Sequence, residues 1–230
     1  MNKDSDFLAV LHALAKPENV EGMRHFGMQG ENRLGIPIPE LRRLAKEHGK
    51  DHELALKLWA SNIPEARILA SMIEDPAEVS AYQVEEWVAG FNSWDVCDQV
   101  CMNLLEKVPS AVDRIPSWAA REEEFVRRTA FSLIACLAWH DKKATDESFI
   151  AYFPLLQQAV DDERNFVKKA VNWALRNIGK RNPTLNQATI QFAEELQRMD
   201  SRSARWIAAD ALRELRSDAV QRRIHEKPIS

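Results

Sequence analysis

The sequence has only 7 glycines in 230 residues and no tract of low complexity, so its composition is that of an ordinary soluble protein. No apolar run approaches the roughly 18 residues that a membrane span needs. The opening Met-Asn-Lys-Asp-Ser-Asp is too acidic and polar to begin a signal peptide, and a cytoplasmic protein is expected. Cysteine is scarce. The three thiols Cys97, Cys101 and Cys136 are an odd number in a chain without an export signal, which argues against disulfides. Cys97 and Cys101 share a helix face and Cys136 stands four before His140, a spacing compatible with a metal, but buried cysteines packing as small hydrophobes are the simpler account. No stretch alternates with period two for long enough to be a convincing strand. An excess of positive charge is also missing: the formal net charge is −4.

What is present is helical periodicity almost throughout. Phe7, Leu8, Leu11 and Leu14 form an apolar stripe that ends at Lys16-Pro17. A second helix is expected from Pro17 to about Met28, with Gly30–Gly35 as a loop. Pro39 sits in the first turn of the next helix, where its missing N–H costs nothing. Asp51 caps a helix through Trp59, Pro64 opens one through Ile73, and Ser80 opens another through Val88. The expectation is an all-α chain forming a single domain over residues 1–230, without a sign of oligomerisation.

Four helices carry a related text: Glu65-Ala66-Arg67-Ile68-Leu69-Ala70, Phe125-Val126-Arg127-Arg128-Thr129-Ala130, Phe166-Val167-Lys168-Lys169-Ala170-Val171 and Ser203-Ala204-Arg205-Trp206-Ile207-Ala208. With Arg67, Asp98, Arg128, Lys169 and Arg205 as register marks, the steps suit helix–turn–helix units. Such units stack into a right-handed solenoid whose concave face is lined by the second helix of each pair. On this register Asp98, Arg128, Lys169 and Arg205 share a groove with cations and one carboxylate, a setting for a polyanion. Residues 161–230 hold 14 Lys+Arg against 10 Asp+Glu, so the positive charge lies towards the C-terminal end. The plainer account is that these cations solvate helix faces and pair with nearby acids, as Arg127 and Arg128 would with Glu122, Glu123 and Glu124.

The stretch Asn92-Ser93-Trp94-Asp95-Val96-Cys97-Asp98 carries the chemistry. Ser93 is a good N-cap, its hydroxyl suited to accept from the first-turn N–H groups. Trp94 and Asp98 then fall four apart on one helix face. A tryptophan beside a carboxylate can hold a sugar and oppose a positive charge developing on it, the electrostatic demand of glycosidic bond cleavage. The alternative is that Trp94 is a core aromatic and that Asp95 and Asp98 favour the positive end of the helix.

Leu34-Gly35-Ile36-Pro37, Trp94-Asp95-Val96-Cys97-Asp98, Phe125–Ala130 and the run Phe166–Arg176 ending Trp173-Ala174-Leu175-Arg176 together resemble the bacterial AlkD-type DNA glycosylases, the HEAT-like-repeat alkylation repair family, over roughly residues 20–215. The resemblance implies excision of cationic N3- or N7-alkylated purines from double-stranded DNA by hydrolysis of the N-glycosidic bond, without metal or other cofactor. It makes Asp98 the catalytic aspartate, Trp94 and Trp173 the tryptophans on the sugar and backbone at the lesion, and Arg128 the holder of the neighbouring phosphate. Lys169, Arg205, Lys168, Arg127 and Arg67 are the further DNA-binding cations on this reading. An alkylated purine already carries positive charge, so its departure needs little acid help, and one carboxylate can both stabilise the sugar cation and place a water.

The chain departs from the family in two places. Phe26 stands where an aromatic hydroxyl is expected, and the Trp139–Lys143 connection contains an insertion. Trp59, Trp87, Trp118, Trp139 and Trp206 fall at positions consistent with inter-helix packing and are expected to be core or partly buried, with Trp206, which follows Arg205, the one placed to face the groove. The six histidines make no ligand-spaced pair within one helix. A non-catalytic HEAT-like module for damaged or branched DNA, and a protein-interaction scaffold, are the alternative functions.

Overall fold

In a computed structural model that describes residues 3–226, every regular element among the described residues is helical. The chain divides into two compact units, Met1–Val112 and Asp113–Ser230. The first holds α1 (Lys3–Ala13), α2 (Pro17–His25), α3 (Ile38–His48), α4 (His52–Ala60), α5 (Pro64–Ile73), α6 (Ala81–Ala89), α7 (Trp94–Asn103) and the short α8 (Pro109–Val112). The second holds α9 (Ile115–Ala119), α10 (Glu124–His140), α11 (Asp146–Ile150), α12 (Phe153–Ala159), α13 (Asn165–Gly179), α14 (Pro183–Gln197), α15 (Arg202–Leu215) and α16 (Asp218–Glu226).

The helix starts follow from the sequence. The carboxylate of Asp51 accepts from Leu54 N–H at 3.0 Å and the Ser80 hydroxyl from Gln83 N–H at 3.1 Å. Asn182 and Ser201 cap α14 and α15 in the same way. Proline occupies the first turn of α2, α3, α5 and α14.

α2 stops at His25, short of the expected Met28. Gly27, at φ +76°, reverses the chain, and the N–H groups of Gly27 and Met28 donate to the carbonyls of Arg24 and Met23. This is a Schellman closure, which a residue with free access to positive φ makes favourable.

Each unit builds its core from neighbouring helices. In the first, α5 packs on α3, α4 and α7; in the second, α10 packs on α9 and α13, and α13 on α14 and α15. Small residues at the facing positions let the backbones approach: Ala66 and Ala70 on α5, Ala130 on α10, Ala170 and Ala174 on α13, and Ala204, Ala208 and Ala211 on α15 are all fully buried. The helices bearing the five register marks are thus direct neighbours within each unit, α5 with α7 and α10 with α13 with α15.

Candidate nucleic-acid interface

Helix α7 is anchored at its N-terminus by the loop that follows α2. Ser93 does not cap α7 through its side chain as expected. Its hydroxyl instead accepts the Gln29 N–H at 3.0 Å and donates to the Asp95 carboxylate. The reason is Arg33. Buried with Asp95, its guanidinium donates to both carboxylate oxygens at 2.8 and 3.1 Å and to the Gln29 carbonyl at 2.8 Å. Glu65 of α5 stands 3.8 Å from the same guanidinium and accepts the N–H groups of Leu34 and Gly35 at 3.0 and 2.8 Å. Two buried carboxylates therefore share one cation, and their remaining lone pairs take backbone donors or a hydroxyl, which is what makes buried charge tolerable.

The same loop is stapled again by Trp94, whose indole N–H donates to the Phe26 carbonyl at 3.1 Å. Phe26 itself is 71 % exposed. Trp94 is half-buried, and so is Asp98 one turn further along α7, on the face that the i, i+4 spacing predicts. The neighbours Val96, Cys97, Val100 and Cys101 are the buried side of the helix. All three cysteines are buried and none of them is in a disulfide.

In the second unit Arg128 is only 5 % exposed and donates from Nη1 to the Phe166 carbonyl, a bond that joins α10 to α13. Arg127 does not pair with Glu122, Glu123 or Glu124 as expected. It lies 3.2 Å from Asp162 and reaches the Gln158 carbonyl, while Glu123 takes Arg121 and the Glu122 carbonyl takes Arg164. Burial works against ionisation of Asp162, but the hydrogen bonds from Arg164 and the charges of Arg164 and Arg127 hold its carboxyl below the usual carboxylate range. Trp173 is half-buried on α13, with Lys168 half-buried and Lys169 exposed on the same helix. Arg205 is exposed on α15 and pairs with Asp200 at 3.2 Å.

Arg67 of α5 has a structural role. Its guanidinium lies 4.7 Å over the Trp59 ring and donates to the carbonyls of Trp59 and Gly90 and to the Asn62 side chain. Trp59 stacks on Trp87 at 4.1 Å, and both are buried as expected, as is Trp118. Trp139 and Trp206 are the more open of these rings, 53 % and 41 % exposed; Trp139 stacks on His140, and the Trp206 ring meets the Lys168 side chain of α13.

No local pattern in the sequence links Arg33 with Asp95 and Glu65. The one signal is an arginine beside apolar residues in a short loop, Arg33-Leu34-Gly35-Ile36, where an unpaired charge would be costly.

The sequence pattern that defines the DNA alkylation repair enzymes matches residues 7–215, and the chain belongs to that family. It is 22 % identical to an uncharacterized protein of Listeria innocua over 193 residues, 81 % of this chain and 83 % of that one. Its fold is similar, at a TM-score of 0.76, to that of a solved protein described as belonging to a new family related to the HEAT-like repeat DNA glycosylases with affinity for branched DNA structures. The likeness covers 91 % of this chain and 94 % of that one at 19 % identity.

Proposed function

We propose that the protein is a DNA glycosylase that hydrolyses the N-glycosidic bond of cationic N3- or N7-alkylated purines in duplex DNA. The observation that carries this reading is the Trp94–Asp98 pair on α7, in a chain of the alkylation repair family, on a helix whose N-terminus is fixed by the Arg33–Asp95 pair. Asp98 opposes the positive charge that grows on the deoxyribose as the base leaves and orients the water that attacks it. Trp94 provides an apolar wall beside that sugar, and its indole N–H, committed to the Phe26 carbonyl, keeps the ring from rotating away. The base departs neutral because it carries its positive charge already, so no second carboxylate and no metal are required.

Trp173 and Arg128 take the sugar–phosphate backbone on this reading, Arg128 with its orientation already set by Phe166. Lys169, Lys168 and Arg205 neutralise phosphates without reading sequence. Arg67 and Arg127 are held by internal partners and serve the scaffold that carries them. Release of 7-methylguanine or 3-methyladenine from methylated duplex DNA is the test. The wild-type protein is expected to release base, and Asp98→Asn, folded as judged by circular dichroism, to lose that release by at least about a hundredfold, the scale of removing a charge-stabilising group.

A second reading is favoured by the fold likeness to a protein with affinity for branched DNA: binding of branched or damaged DNA without base excision. In that case wild-type protein shifts a branched substrate with steep salt dependence and releases nothing, and Asp98→Asn changes neither result.

A further inference from the structure

Helices α13 and α15 pack side by side in the second unit, and a lysine of α13 meets an indole of α15 on their solvent side. Trp206 is 41 % exposed. The Lys168 ammonium stands over its ring, 5.3 Å from the centroid, within the range of cation–π attraction. Lys169 is exposed next to Lys168, and Arg202 and Arg205 are exposed on the turn before Trp206. The core does not account for this ring. α15 already buries Ala204, Ile207, Ala208 and Ala211 against its neighbours, so the indole adds little to packing.

Phosphates need only charge, which the lysines and arginines supply. A flat indole offers a phosphate nothing. The bases of an intact duplex stack on one another and show only their edges, whereas an unpaired base presents a π-face. Aromatic rings interleaved with cations are the usual way in which unpaired nucleotides are held, because every base can stack and every phosphate is anionic.

We infer that Trp206, with Lys168 over its ring, is a stacking platform for an unpaired nucleobase of DNA. The inference rests on the reading of these helices as a DNA-binding surface and adds a substrate feature to it: a single-stranded flap or displaced base next to paired DNA. Lys168 supports the ring from one side and contributes charge, and Lys169, Arg202 and Arg205 hold the phosphates on either side of the stacked base.

The test is binding of the full chain, by fluorescence anisotropy at fixed salt, to a paired duplex and to the same duplex bearing a single-stranded flap. Wild-type protein is expected to bind the flapped probe more tightly. Trp206→Ala is expected to lose about tenfold on the flapped probe, the size of one base–aromatic stack, and to leave the paired duplex unchanged. Trp206→Phe should keep most of the preference. Equal losses on both probes, or no loss on the flap, overturn the platform and make Trp206 a packing partner of Lys168 only. If wild-type protein binds the paired duplex without preferring the flap, this inference fails alone; if it binds neither probe, the DNA-binding reading fails with it.

Discussion

Arg33 is a buried charge that ties three segments of the first unit together. It joins the loop after α2 to α7 through Asp95 and stands beside Glu65 of α5, all three being buried. Replacing it strands two carboxylates out of water, a change that costs about 3–5 kcal/mol when one partner of a buried pair is removed. Arg33→Met is therefore expected to lower stability by that amount in urea unfolding, with any base release falling in parallel as α7 loses its anchor. His52 gives a pH-dependent counterpart. Its Nδ1 hydrogen-bonds the buried Glu74 carboxylate at 2.8 Å, and that bond raises the imidazole pKa above its ordinary value. A raised folded-state pKa means that the stabilisation is complete below about pH 6.5 and is lost as pH rises through the higher folded value. Thermal melts of wild type and His52→Ala should accordingly differ most at mildly acidic pH and converge at alkaline pH.

Among the elements, the loop between α2 and α3 depends on backbone conformations that residues with a side chain rarely adopt. Gly35 has φ +75°, and a Cβ there would stand 2.2 Å from the Lys16 carbonyl oxygen. Its N–H is held by Glu65 and its carbonyl by the Asn19 amide at 2.9 Å, so the chain cannot shift to relieve the contact. Gly35→Ala is expected to destabilise by well over the ~1 kcal/mol of an ordinary left-handed penalty, and circular dichroism melts would show it. The start of α15 is a milder case. Ser201→Ala removes the cap on Ala204 N–H and should cost about 1 kcal/mol, because the helix body stays packed.

At the scale of the whole molecule the charge distribution decides how a polyanion would be met. The chain is acidic overall, yet its last 70 residues, 161–230, carry the basic excess. Binding to DNA should therefore weaken steeply with salt, by roughly 0.9 in the log–log slope for each phosphate neutralised. Lys169→Gln and Arg205→Gln should each reduce that slope by about one without altering sequence preference. Arg67→Gln should leave the slope unchanged while lowering the melting temperature, since its guanidinium is bound to Trp59, Gly90 and Asn62.

The sequence by itself determined what is local. Asp51, Ser80 and Pro64 mark their helix starts because a cap or a first-turn proline acts over three or four residues, and the repeated small apolar text on α5, α10, α13 and α15 marks the packed faces. The i, i+4 placing of Trp94 and Asp98 follows from helix geometry alone. Only the tertiary structure decided where the polar groups go. Ser93 reads as a cap, yet its hydroxyl was claimed by Asp95 and by Gln29, 64 residues earlier. Arg33 and Asp95 meet across 62 residues, and Trp139 and Trp206 stay partly exposed while Trp59 and Trp87 stack in the core. Hydrophobic period tells which face of a helix is buried, but the partner of a buried charge, or the exposure of one aromatic ring, is fixed by which other helix arrives beside it.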